Sequence, residues 1–363
     1  MSKSVLFRVG RAALVVLAGL GVAPDSRAQT TKPAAAEQDT VRPAAAPGVG
    51  TPRKAARKKP AYSAQRSVSR RARLARARAA TAREMADTIV PRYKVDASGD
   101  LVPDVRAAAA IIYDPDTNQV LWEENSQSQR SIASITKVMT AVVFLESTPD
   151  LTQPVTVARS DVFRASTTYL RAGDKMTVED LLHLLLIASD NAAARALARV
   201  SPFGSDGFIP RMNEKAAELG LESTQYADPS GLLSDNVSSA YDIARLIAHA
   251  SDHETISSIM RLPEHTVRTS RRHITVRSTN HLLGRQEFDV MAGKTGFISR
   301  SGYCFATLLR LPQSGQQVAL VVLGARSNAG RFMETQNLFN WISAKASTIF
   351  ATNTPTVTAA PQD

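Results

Sequence analysis

The chain has 363 residues, 44% of them hydrophobic, a formal net charge of +11 and a single cysteine, Cys304. That length and apolar content exclude a wholly disordered chain and leave room for one large domain or two lobes around a cleft. One cysteine excludes an internal disulfide framework.

Residues 1–28 read as an export signal. Lys3, Arg8 and Arg11 precede an apolar run from Ala12 to Ala23, and Ser26-Arg27-Ala28 puts small residues where a signal peptidase reads them. A run of about a dozen residues is short for a transmembrane helix, and no cysteine follows it to carry a lipid anchor. The expected location is therefore the periplasm, with no transmembrane span after processing. Residues 29–95 are rich in Ala, Pro, Arg and Lys and read as a disordered basic linker. Within it, residues 29–84 hold fourteen Lys and Arg against three Asp and Glu, an excess equal to the charge of the whole chain. The Ala/Arg mixture between Val68 and Met85 suits a transient helix with no apolar face. The basic stretch reads either as a tether to anionic envelope polymers or as a solubilising spacer. The export signal speaks against nucleic acid as its partner.

Globular sequence runs from about residue 100 to about 350, with no repeat period. Ala107–Tyr113 and Gln119–Glu123 read as a hairpin around the turn chemistry of Asp114-Pro115-Asp116-Thr117-Asn118. Ile135, Val138, Met139, Val142 and Val143 recur at helical spacing. That spacing puts Ser134 and Lys137 one turn apart on a helix anchored through its other side. A serine hydroxyl is a poor nucleophile until a base takes its proton. A lysine is such a base when burial or a neighbouring cation lowers its pKa.

Val155–Ala158 is a short β-type run, and residues 169–174 read as a turn. Thr177 is the expected N-cap of a helix continuing through Leu181–Ala188, apolar nearly all round and so buried. It ends at Ser189-Asp190-Asn191, before a second helix over Ala192–Arg199, which places a polar triplet to project into a cleft. A second such triplet, Ser234–Asn236, follows a loop with no buried helix before it and reads as a coincidence. Gly220 caps a helix ending at Leu219. Ala240–Ala250 is an amphipathic helix. His249 and His253 have a chelating spacing but no third ligand, and read as surface histidines. His265–Thr269 and His273–Arg277 are β-like. Val290–Gly296, Tyr303–Leu309 and Gln317–Leu323 read as adjacent antiparallel strands. Phe332–Phe350 is the closing helix, and residues 351–363 read as a disordered tail.

Ser134-x-x-Lys137, Ser189-Asp190-Asn191 and Lys294-Thr295-Gly296 stand in the order of the S-x-x-K, S-D-N and K-T-G set. With Asp228-Pro229-Ser230-Gly231-Leu232, Asn280-His281-Leu282-Leu283 and Leu323-Gly324-Ala325-Arg326, the chain resembles the low-molecular-mass penicillin-binding proteins, the serine D-alanyl-D-alanine peptidases. The resemblance runs from about Ala107 to about Ile349. It implies an α+β fold, an antiparallel sheet flanked by helices with an all-helical lobe. Ser134 would attack the carbonyl of a D-alanine and Lys137 would take its proton. Ser189 and Asn191 would relay protons and hold the substrate amide. Lys294, as a cation, would favour neutral Lys137 and orient the substrate. Thr295 would bind a carboxylate, and the strand through Gly296 would dock the peptide by strand addition. The amides of Ser134 and Phe297 would face the oxyanion, and Arg331 matches the arginine that holds a substrate carboxylate. No metal or organic cofactor is implied. The implied partners are peptidoglycan peptide stems and, as covalent inhibitors, β-lactams.

Other readings of the motif set weigh less. A class A β-lactamase needs a glutamate for deacylation, and no E-x-x-L-N segment lies between Ser189 and Lys294. A non-catalytic wall-binding protein of this fold would have lost a motif residue, and none is lost. Many carboxypeptidases of the family carry S-G-N, a second β-rich domain and an amphipathic C-terminal helix. The S-D-N here and the short stretch after Gly296 resemble the endopeptidase branch, which cuts D-alanyl–diaminopimelate cross-links. D-alanyl-D-alanine carboxypeptidase is the alternative.

Overall fold

The computed structural model describes residues 71–80, 82, 83, 86 and 92–351, with side chains of the last helix described to residue 346. The expected export signal, most of the basic linker and the tail after residue 351 lie outside the described residues. Residues 71–80 form an exposed helix, α1. Strands β1 (Tyr93–Val95) and β2 (Leu101–Pro103) pair antiparallel. Lys94 Nζ meets Glu124 at 2.5 Å, and Trp341 Nε1 donates to the Leu101 carbonyl at 3.0 Å. These ties bring β1, at the end of the expected linker, into the folded part.

β3 (Ala109–Asp114) and β4 (Gln119–Glu124) form the expected hairpin. β5 (Arg130–Ser131) leads through a 3-10 turn at Ala133–Ile135 into α2 (Thr136–Leu145). β6 (Pro154–Thr156), α3 (Arg159–Val162) and β7 (Lys175–Thr177) precede α4 (Val178–Ile187), α5 (Asn191–Val200) and α6 (Gly204–Glu218). β8 (Val237–Ser238) comes before α7 (Ala240–Ser251) and α8 (Glu254–Met260). The hairpin β9 (Glu264–Arg268) and β10 (His273–Arg277) is followed by β11 (Asp289–Ile298), β12 (Gly302–Arg310) and β13 (Gln317–Ala325). Helix α9 (Asn328–Ala351) closes the fold.

The main sheet runs β11-β12-β13-β3-β4, antiparallel throughout. Alternate side chains of a strand face opposite ways, and here both faces are covered. Ile111, Tyr113, Val321 and Leu323 join a core with α2, α4, α5 and α7. Ile112, Leu320 and Val322 join a second core under α9, with Leu338, Phe339 and Ile342. The fold is thus α+β, a sheet flanked by helices with a helical lobe on one side.

Helix α2 is buried along its whole length rather than through one face. It lies among α4, α5, α6 and α7. Each large apolar side chain taken out of water contributes about 1.5–3 kcal/mol. No side chain caps the start of α2, so packing rather than capping holds it. Helix α4 is held both ways: Leu181, Leu184 and Leu185 are fully buried, and Thr177 Oγ1 accepts from the Asp180 amide at 3.1 Å.

Candidate active site

Ser134 sits in the 3-10 turn just before α2, one turn from Lys137 in the helix proper. Within Ser131–Leu145 it is the one residue that is not buried. The residue before it, Ala133, has a φ of +49°. A left-handed alanine is strained and persists only when its surroundings fix it. Two glycines do so by close approach. A Cβ on Gly296 would lie 2.6 Å from the Ile132 carbonyl oxygen and 3.2 Å from the Ser134 nitrogen. A Cβ on Gly231, whose φ is +77°, would lie 2.0 Å from the Ala133 carbonyl oxygen. The sheet edge and the 228–231 loop thus clamp the backbone around Ser134 from two sides.

Lys137 is fully buried. Its Nζ donates to Ser134 Oγ at 2.9 Å, to Asn191 Oδ1 at 2.6 Å and to the Ser230 carbonyl at 2.5 Å. Burial lowers its pKa to about 7, against the opposing pull of Asp228 and Asp190 and with help from Arg195. Burial is therefore the main source of the lowering, rather than the expected charge of Lys294.

Ser189 marks the break between α4 and α5 and has a φ of +59°. Asp190 caps α5 by accepting from the Ala193 amide at 2.9 Å, and it also accepts from the Tyr169 amide at 2.6 Å. Asn191 donates through Nδ2 to the Ala165 carbonyl at 2.7 Å, which turns its Oδ1 toward Lys137. On β11, Lys294 Nζ reaches Ser189 Oγ at 2.9 Å and the Thr295 carbonyl at 2.9 Å. Burial, then the charges of Lys137 and Arg331, holds Lys294 well below the usual lysine range. Thr295 Oγ1 donates to Thr279 Oγ1 at 2.6 Å.

These groups surround a cleft of about 570 Å³ lined by Ser134, Ser189, Asn191, Thr295, Gly296, Phe297 and Arg331, among others. The Phe297 ring is half exposed and stacks on Tyr303 at 4.2 Å. Arg331 is nearly buried. Its Nη1 donates to the carbonyls of Gly296 at 3.0 Å and Cys304 at 3.1 Å, and its Nη2 meets Asn328. Nε has no hydrogen-bond partner among the described residues. Burial lowers its pKa to about 10. All nine residues expected from the sequence are thus gathered at one site. His249 and His253 lie elsewhere, and no group of three metal-binding side chains occurs among the described residues. Among those residues, too, no helix is long and apolar enough to cross a membrane.

A serine backed by a buried lysine, beside a second lysine and an open strand, is the geometry of acyl transfer through a serine ester. The family described as D-alanyl-D-alanine carboxypeptidase matches residues 96–327. The chain belongs to this peptidase family. It is 33% identical over 246 residues to a D-alanyl-D-alanine endopeptidase of Pseudomonas aeruginosa, covering 67% of this chain and 79% of that one. It is also 33% identical over 254 residues to the D-alanyl-D-alanine carboxypeptidase DacD of Escherichia coli, covering 66% of this chain and 63% of that one. The solved DD-transpeptidase of Streptomyces K15 superposes with a TM-score of 0.62 at 27% identity, covering 67% of this chain and 98% of that one.

The sequence reading named Asp228-Pro229-Ser230-Gly231-Leu232 but gave it no role in holding the motif residues, and it took the triplet containing Asn236 for a coincidence. Asp228 accepts from Ser230 Oγ at 2.5 Å, from the Gly231 amide at 2.9 Å and from Asn236 Nδ2 at 2.5 Å. It thereby folds the loop that aims the Ser230 carbonyl at Lys137. Asn236, from the second Ser-Asp-Asn, is a fully buried member of that loop. The signal was the turn chemistry of Asp228-Pro229-Ser230-Gly231.

Proposed function

We propose that this peptidase hydrolyses D-alanyl–diaminopimelate cross-links of peptidoglycan through an ester on Ser134. The carrying observation is the contact of Lys137 Nζ with Ser134 Oγ at 2.9 Å, made by a lysine wholly withdrawn from water. Neutral Lys137 takes the hydroxyl proton as Oγ bonds to the D-alanyl carbonyl carbon. The scissile C–N bond then breaks, and the leaving amine receives a proton through Lys137 and Ser189. Water cleaves the ester and restores the hydroxyl. The amides of Ser134 and Phe297 hold the oxyanion. Asn191 holds the substrate amide, the β11 edge pairs with the extended stem, and Thr295, Lys294 and Arg331 bind a carboxylate. Penicillins acylate the same hydroxyl.

Similarity to the Pseudomonas aeruginosa endopeptidase over 79% of its length, together with the Ser-Asp-Asn triplet, favours cross-links over terminal D-alanine. Carboxypeptidase action is the second reading, favoured by the similarity to DacD. We place the enzyme in the periplasm after removal of residues 1–28, with residues 29 to about 92 as a linker whose basic part holds anionic envelope polymers, the catalytic domain running on to about residue 350 with β1 at its start, and residues 351–363 as a tail. Mass spectrometry of purified muropeptides tests the activity. Cross-linked dimers split to monomers, and monomeric pentapeptide loses its terminal D-alanine more slowly. Rapid trimming of pentapeptide beside intact dimers would make the enzyme a carboxypeptidase.

A further inference from the structure

Thr279 belongs to none of the three motifs, yet it stands where two of them meet. Its amide donates at 3.1 Å to the carbonyl of Ile187, the last residue of α4, two before Ser189. Its Oγ1 accepts from Thr295 Oγ1 at 2.6 Å, on β11. The next residue, Asn280, is nearly buried and lies against the same strand: a Cβ on Gly293 would come within 2.6 Å of its Nδ2. Residues 279 and 280 are therefore a crosspiece between the helix that ends before Ser189 and the strand that carries Lys294 and Thr295.

A crosspiece needs only backbone and bulk, but Thr279 also brings a hydroxyl. Both threonines line the cleft. A hydroxyl has one hydrogen to give and two lone pairs to offer. As the pair stands, Thr295 gives its hydrogen to Thr279, and Thr279 gives its own to no acceptor among the described residues. Thr295 therefore cannot donate to a carboxylate until its hydrogen turns away from Thr279. If it turned alone, two oxygens 2.6 Å apart would face each other with no hydrogen between them. If Thr279 turns as well and donates to Thr295 Oγ1, the hydrogen bond survives with its direction reversed. Each hydroxyl then polarises the other, which strengthens the bond that Thr295 makes to a charged acceptor.

We propose that Thr279 is a positioning residue for the leaving side of the substrate. Its hydroxyl reverses the hydrogen bond with Thr295 and so releases the Thr295 hydrogen to the substrate carboxylate. The proposal rests on the reading of the cleft as a peptidase site in which Thr295 binds a carboxylate. In a D-alanyl–diaminopimelate bond the carbon that bears the acylated amine also bears a carboxylate, as it does in a terminal D-alanine. Both leaving groups therefore meet the same pair of hydroxyls. No proton changes owner, because only two O–H bonds rotate. Lys294 and Arg331 supply charge to that carboxylate, and Thr279 supplies direction through Thr295.

The test is the rate of acylation of Ser134 by benzylpenicillin and by its methyl ester, whose carboxylate is masked, read by mass spectrometry of the intact protein. Thr279→Val keeps the shape and the amide bond to Ile187 but has no hydroxyl, and Thr279→Ser restores the hydroxyl. The wild type prefers the free acid by roughly tenfold or more, because the ester offers no charge to the site. Thr279→Val loses about tenfold on the acid, or about 1.4 kcal/mol, and less than about twofold on the ester, while Thr279→Ser stays within about threefold of wild type on both. The acid-to-ester ratio is taken within each protein, so a general loss of fold does not imitate the result. Equal losses on acid and ester would leave Thr279 a structural crosspiece and overturn the proposal. So would wild-type rates in Thr279→Val, or a Thr279→Ser as slow on the acid as Thr279→Val. A wild type that takes acid and ester equally would sink the carboxylate reading of the cleft itself, and the proposal with it.

Discussion

Lys137 Nζ lies 2.9 Å from Ser134 Oγ, while its side chain is entirely out of water. The lysine is thus held where its neutral form is accessible near neutral pH, with a pKa lowered to about 7. Acylation by benzylpenicillin should rise about tenfold per pH unit below 7 and level above it. A rate flat between pH 5 and 8 would remove Lys137 as the base. Lys137→Ala should lose acylation by roughly 10³-fold or more.

The same lysine affects stability, with a definite sign. Its unfolded value is 10.5 and its folded value about 7. Between those limits the unfolded chain holds a proton that the folded one lacks, so stability rises with pH there. Relative to Lys137→Met, the wild type should lose stability as pH falls from about 10.5 to about 7 and then level off. Urea unfolding of both proteins across that window measures it.

Ser134→Ala should abolish covalent labelling by penicillin and leave the fold intact, because Ser134 is the part-exposed residue of an otherwise buried stretch. Circular dichroism and peptide mapping check both halves. A label that persists in the variant, or maps to Ser131, moves the nucleophile elsewhere.

Gly231 has a φ of +77°, and a Cβ there would lie 2.0 Å from the Ala133 oxygen. Gly231→Ala must push the Ser134 turn or the 228–231 loop aside. The expected cost is about 3 kcal/mol in urea unfolding. Acylation should fall roughly 10²-fold even in the folded fraction, because displacement by about 1 Å is enough to misalign a nucleophile. A variant as active as wild type would mean that the clamp has slack.

Deleting residues 29–84 should leave hydrolysis of a small soluble substrate unchanged and weaken binding to isolated cell envelopes, most clearly at low salt, where exposed charges are least screened. Equal envelope binding at every salt concentration would leave the segment as a spacer.

The candidate catalytic side chains were legible because acyl transfer needs particular atoms at particular spacings, and the three motifs carry them. The strands β12 and β13 were legible as alternating or apolar runs broken by turn residues, and β11 through the Lys294-Thr295-Gly296 motif that it carries. The two-residue ladder of β5 and β8 was not, since Arg130–Ser131 and Val237–Ser238 are too short to have a period. The Ser230 carbonyl was invisible too, because any residue carries one and only the loop folded by Asp228 aims it. The full burial of α2 was missed because Lys137 and two threonines gave the helix a polar face on paper. In the fold that face meets Asn191 and the 228–231 loop rather than water.

A helix enclosed on every side cannot loosen alone. The amides of residues 138–145 are therefore expected to exchange with deuterium only when the whole helical lobe opens. Ser134 sits in the turn that opens that helix, so heat should remove activity and structure together rather than one before the other. A partly melted form in which Ser134 is lost and the sheet remains is not expected.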